Sequence, residues 1–252
     1  MAALPNKLNL LDGLEALRAE LSVATIAKLI ERTAKWVSPE TFRRLPAWYP
    51  EQARGQHFFK ADWTEPQPNT KRGTDITIHK VEGNTYANKA LTYALGLRPM
   101  ERPNWSCCHI WGVDDPGFQK ANHLISDARY YSCVANMVLL PTPLKAFTDV
   151  MPEIKAMLRL CSASLYDWKP SLEDGSLGHD SFENCFTVSD YPDSWPAKGK
   201  MSTPVGMVCL NDRILADIDR RKSRIRRDLE FAGPYYPRAQ VQSVLEHWGI
   251  AV

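Results

Sequence analysis

At 252 residues, 44% hydrophobic and 24% charged, the chain is long enough to bury its own core and has the composition of an ordinary globular protein. A formal net charge of +2 excludes a polyanion partner held by overall charge, so any nucleic-acid surface must come from local clustering. The six cysteines include no CxxC pair, which argues against a zinc ribbon, and no window approaches the roughly 18 apolar residues of a membrane span. The N-terminal stretch lacks the basic start and unbroken apolar run of a signal peptide, so a cytoplasmic protein with reduced thiols is expected.

In chain order, residues 8–36 read as helix. Leu10, Leu14, Leu17 and Leu21 recur at helical spacing, and Ser22 is placed to cap a second helix carrying Ile26, Leu29 and Ile30. Ser38-Pro39-Glu40 restarts a short helix with proline at its first position. These helices read as a packed N-terminal arm that can carry a homodimer contact, and a DNA-reading helix-turn-helix is the alternative. Residues 45–78 have little periodicity apart from a short strand at Asp75–Ile78. Glu82-Gly83-Asn84-Thr85 leads into a helix with Ala87, Ala90, Leu91, Ala94 and Leu95 on one side and Gly96 as its stop.

Two apolar strands are predicted within 103–140, separated by a polar insert, 112–129, with Asp114, Asp115, Asp127 and Arg129. Pro152 starts a helix whose stripe of Ile154, Met157, Leu158, Cys161 and Leu165 is core packing. Residues 169–206 read mostly as loop. A last helix, about 211–230, carries Arg220, Arg221, Lys222, Arg224, Arg226 and Arg227, with Asp219 as the one acid between 219 and 227. The expected division is a helical arm (1–50), a core domain (51–168) and a C-terminal loop and basic-helix region (169–252).

The chemistry-bearing stretch is Trp105-Ser106-Cys107-Cys108-His109-Ile110-Trp111, followed by Asn136-Met137-Val138-Leu139-Leu140 and Pro141-Thr142-Pro143. A histidine ends one strand, an asparagine opens the next, and a helix starts at once. Phosphodiester cleavage needs a group to activate water, a charge to stabilise the crowded phosphorus, and help for the leaving oxygen. A strand-end histidine of near-neutral pKa and a hard divalent cation together meet those needs.

This order resembles the ββα-metal, or HNH, nucleases. The resemblance implies an α+β fold, a ββα-metal core within a mainly helical domain, and a metal-dependent DNA endonuclease of restriction or defence type using Mg²⁺ or Mn²⁺, with Zn²⁺ as an alternative. Cys108-His109 falls on the ligand–histidine pair, which makes His109 the general base. Asn136 falls on the asparagine that orients the base or ligates the metal. The segment Asn136–Asp149 is similar to the asparagine, apolar run and Thr-Pro helix of the colicin DNases, whose ligand positions fall on Lys145 and Asp149. The implied catalytic residues are therefore His109, Asn136 and Lys145, and the implied metal ligands are Asp149, Asn136 and Cys108.

The sequence departs from the family pattern at two of these positions. A thiolate prefers softer metals than Mg²⁺, and a charged lysine contacts phosphate rather than metal. Asp114, Asp115 and Asp127 are candidate replacement ligands. Residues 20–170 also resemble bacterial proteins with an HNH-type core and no settled biochemical role, through Lys80-Val81-Glu82-Gly83-Asn84, Cys108-His109-Ile110-Trp111 and the phrases from Arg129 to Glu153.

The expected partner is double-stranded DNA, gripped by the 220–227 cluster through counterion release, with Lys71, Arg72, Lys80 and Lys89 as flanking cations. Trp48, Tyr49, Trp63, Trp105, Trp111, Tyr130 and Tyr131 are candidates for base stacking, with core packing the alternative. Two other functions compete. One is a scaffold that binds nucleic acid or regulates without cleaving. The other is a thiol hydrolase using Cys107 or Cys108, which is disfavoured because neighbours on a strand point to opposite faces.

Overall fold

The computed structural model describes residues 12–70, 73, 76–112, 124–170 and 190–252. It is mixed α and β. Helices α1 (Gly13–Glu20) and α2 (Val23–Thr33) are separate, because Ser22 breaks the run and accepts from the Thr25 amide at 3.2 Å. Helix α1 buries no residue fully, whereas α2 buries Ile26 and Ile30 and leaves Leu29 exposed. Strand β1 (Trp36–Val37) is followed by α3 (Pro39–Arg44), capped by Ser38. Strands β2 (Pro68–Thr70) and β3 (Thr77–His79) form an antiparallel ribbon, and β3 overlaps the end of the strand expected at 75–78.

Helix α4 (Thr85–Ala94) buries Ala87, Ala90, Leu91 and Ala94 and ends before Gly96, whose φ of +67° is a conformation side chains rarely adopt. Strands β4 (Trp105–His109) and β5 (Met137–Pro141) are antiparallel, from Trp105 opposite Pro141 to His109 opposite Met137. A short helix, α5 (Ala128–Tyr131), lies between them, and α6 (Thr142–Val150) follows β5 directly.

A lone two-stranded ribbon is marginal in water. This one is covered by α2, α4 and α6, and β5 is buried from Met137 to Leu140, as its unbroken apolar run requires. Helix α7 (Pro152–Tyr166) carries the expected apolar stripe. Asp149 does not cap α7; the cap position is Met151, with no side-chain bond to the first turn.

Three C-terminal elements complete the chain: β6 (Met207–Val208), α8 (Asp212–Phe231) and α9 (Arg238–Trp248). Strand β6 pairs in parallel with β1, and the two chains approach so closely at Gly206 that a Cβ there would sit 1.8 Å from the Ala34 carbonyl oxygen. The buried apolar side chains form one continuous cluster drawn from all three expected segments, including Trp36, Leu139 and Ile218. Of the aromatics considered for base stacking, Trp48, Trp63, Trp111, Tyr130 and Tyr131 are core residues. Among the described residues, no helix is long and apolar enough to cross a membrane.

Candidate functional site

His109 is the last residue of β4. The ladder closes just beyond it, where the Ile110 amide donates to the Asn136 carbonyl at 2.9 Å. Because α6 begins straight after β5, its one-turn spacing presents Lys145, Thr148 and Asp149 together. These three share a cavity of about 380 Å³ with Cys108, His109 and Lys155 of α7. Arg54 and Asn84 also line it. Four of the sequence-predicted residues, Cys108, His109, Lys145 and Asp149, are thus brought together.

The His109 ring is oriented from behind. Its Nε2 lies 2.9 Å from the Tyr131 carbonyl oxygen, and the two rings are nearly parallel with centroids 5.8 Å apart. A carbonyl only accepts, so Nε2 carries the proton and Nδ1 holds the lone pair. Tyr131 is held in turn: its hydroxyl donates to Glu82 Oε1 at 2.6 Å, and that oxygen also receives the Thr85 amide at 2.5 Å at the start of α4. The carbonyl of His109 accepts from Lys155 Nζ at 2.9 Å.

Burial, the largest influence, pushes the His109 pKa down to about 4, against the partial relief of the Tyr131 hydrogen bond and with Lys155 adding to the fall. The imidazole is therefore neutral at pH 7 and able to accept a proton. A stability consequence follows from the same shift. Between about pH 4 and 6.5 the unfolded chain binds a proton at this residue that the folded chain does not. This part of the stability is complete above pH 6.5 and is lost as pH falls towards 4, by at most about 3 kcal/mol. Urea melts across that range are expected to show a steeper acid loss for wild type than for His109→Gln.

Asn136, expected to orient the base or ligate a metal, lies behind the cavity rather than in it. It is 1% exposed and does not line the cavity. Its Oδ1 accepts the Trp111 amide at 2.7 Å, and its Nδ2 donates to the Tyr130 carbonyl at 3.2 Å. The side chain ties the turn after His109 to the segment that supplies the Tyr131 carbonyl. Asn136→Ala is expected to strand both partners and cost about 2–3 kcal/mol. Asn136→Asp keeps the acceptor for the Trp111 amide but sets an oxygen against the Tyr130 carbonyl in a buried site, so it is expected to be destabilised as well. Thermal melts of the two variants, measured together, check this.

The other expected ligands are placed as follows. Burial pushes the Cys108 thiol up to about 11, so with no metal bound it is protonated at neutral pH and is not an activated nucleophile. Burial shifts the Cys107 thiol further in the same direction. Lys145 Nζ is 2.6 Å from Asp149 Oδ2, and this hydrogen bond raises the lysine's pKa. Among the described residues Asp149 is the single carboxylate that lines the cavity, against Arg54, Lys145 and Lys155. Among the described residues no group of three His, Cys, Asp or Glu side chains is arranged to hold a metal ion. The donors present fit an oxyanion better than Mg²⁺ or Mn²⁺. Asp127 is paired with Arg129, while Asp114 and Asp115 lie outside the described residues, as do Lys71 and Arg72.

The α8 cations are not part of this cavity. Arg220 pairs with Asp217 at 2.6 Å, Arg224 and Arg227 pair with Asp228 at 2.5 and 3.2 Å, and Arg221 pairs with Glu51. Lys222 and Arg226 make no ion pair among the described residues. Sequence reasoning missed Arg54, Asn84 and Lys155, which reach the cavity from other elements. It also missed the Tyr131 carbonyl, since a backbone atom carries no residue-type signal. Comparison of the chain with known families, curated proteins and solved structures finds no match.

Proposed function

We propose that the cavity between β4, α6 and α7 receives a phosphodiester of a nucleic acid, and that the protein is an endonuclease of the ββα type with His109 as its general base. The observation that carries this reading is the union of a neutral, carbonyl-oriented histidine with Arg54, Lys145 and Lys155 in one cavity. The three cations neutralise the phosphate and the charge that builds on its oxygens during attack. His109 Nδ1 takes a proton from water, whose oxygen attacks phosphorus as the P–O bond to the leaving strand breaks, and the leaving oxygen takes a proton from solvent. Entry of the anion beside the imidazole raises the pKa that burial had lowered, so base strength develops when substrate is present. Asn136 and Tyr131 hold the ring.

The resemblance to ββα-metal nucleases adds Mg²⁺ or Mn²⁺ to this proposal. The described cavity residues offer one hard anionic donor, Asp149, which would hold such an ion. A second reading, binding of the backbone without cleavage, is favoured by that same shortage of ligands. Nicking of supercoiled plasmid in EDTA, Mg²⁺ and Mn²⁺ tests the proposal. Nicking by wild type that is lost in His109→Ala supports it. Binding with no nicking under any condition supports the second reading instead.

A further inference from the structure

We propose that a strand whose phosphodiester enters the His109 cavity is held a second time, in the groove between α4 and α8, roughly 14 Å further along α4. This rests on the phosphodiester reading of the cavity. The groove, of about 730 Å³, is lined by Trp48, Tyr49, Tyr93, Arg220, Arg224 and Arg227, with Arg221 and Asp217 beside them.

The ion pairing in this groove is uneven. Asp217 is shared by Arg98 and Arg220, and Asp228 by Arg224 and Arg227, while Arg221 is matched to Glu51. Five guanidinium groups thus face three carboxylates. A phosphate can draw one arginine from each shared pair without leaving a buried carboxylate bare, which removes the usual desolvation penalty for breaking such a pair. Guanidinium groups beside aromatic rings suit both parts of a nucleotide, phosphate by the planar fork and base by stacking.

The two sites are linked by the same pieces of chain. Residues 48–54 carry Trp48 and Tyr49 to the groove and Arg54 to the cavity, and α4 carries Tyr93 to the groove while its cap residue, Asn84, lines the cavity. Nine residues of helix separate Asn84 from Tyr93, a rise of roughly 14 Å, or at most about four phosphate steps along a strand. Between them Tyr86 packs on Tyr49 with ring centroids 4.9 Å apart, and the exposed Lys89 places its Nζ 4.5 Å from the Tyr86 ring centroid. The surface between the sites therefore carries aromatic side chains and the Lys89 cation, while the nearby carboxylates of Glu51 and Glu82 are buried beneath it.

Fluorescence anisotropy with labelled single strands from dinucleotide to decanucleotide, in EDTA, reads the second contact directly. Affinity is expected to rise at least about tenfold once the strand spans roughly four phosphates. The double variant Arg220→Gln, Arg227→Gln, whose side chains are 68% and 56% exposed in wild type, is expected to lose that step and to reduce the log–log salt slope by about 1.4, two single-strand contacts. Turnover of bis(p-nitrophenyl) phosphate, too short to reach the groove, is expected to be unchanged in it. A length step and salt slope identical in wild type and variant overturn the groove. Turnover of the small diester with no length step overturns the groove and leaves the cavity reading standing. A length step lost in the variant, with no turnover by wild type, supports the groove and removes the cleavage reading.

Discussion

Replacing His109 by alanine is expected to lower the rate of phosphodiester cleavage by about 10²–10⁴, the usual worth of a positioned general base. The variant is expected to fold. It leaves the Tyr131 carbonyl without its partner, which costs about 1–2 kcal/mol, a modest part of the stability of a domain. Losing the ring also removes the acid-side penalty of a buried imidazole, so the difference in stability from wild type narrows as pH falls below 6.5. Exogenous imidazole is expected to restore part of the rate, because the cavity has room for it and the cations that hold the phosphate are untouched. Single-turnover assays of wild type, His109→Ala and the variant with imidazole are the check. Undiminished activity in a folded His109→Ala protein would remove the ββα assignment along with the base.

The largest effect on stability is expected at Arg221, in the middle of the basic run. Its side chain is only 10% exposed. Its Nε donates to the Trp48 carbonyl at 2.5 Å, its guanidinium pairs with the buried Glu51, and its Cζ lies 4.4 Å from the Tyr49 ring centroid. One side chain therefore pins α8 to the 48–51 segment by a hydrogen bond, an ion pair and a cation–π contact. Arg221→Gln leaves Glu51 buried without a counter-charge, a loss of about 3–5 kcal/mol. For a chain of this size that is a fall in melting temperature of roughly 6–20 °C. The exposed Arg220 and Arg227 are expected to shift it by less than about 2 °C when changed to glutamine. Calorimetry of the three single variants decides between a structural Arg221 and a freely solvated one.

What the sequence made legible was local. Ser22 and Ser38 announce helix starts because their hydroxyls have one profitable bond to make, to an amide three residues on. The order of His109, Asn136 and the Thr-Pro helix start marks two strands and a helix, and one-turn spacing puts Lys145 and Asp149 side by side. What failed to show depended on distance in sequence. Strand β1 finds β6 some 170 residues away, and two-residue strands leave no period-2 signal. The basic helix looked unneutralised because Asp217 and Asp228 stand just outside the counted window and Glu51 lies in another segment. Asn136 was expected to offer an oxygen to a metal. Only the fold shows that this oxygen is already committed to the Trp111 amide.

On the proposed reading, His109 is a neutral, pre-oriented base in a cavity that receives a phosphate. Histidine-ring nitrogen NMR across a pH titration, with and without inorganic phosphate or a dinucleotide, tests this most directly. His109 is expected to show a pKa near 4 in the free protein, the proton on Nε2 rather than Nδ1, and an upward shift of the pKa when the anion is added. A His109 that titrates near its ordinary 6.5, or whose pKa ignores the anion while the cavity lysines also give no response, would contradict it.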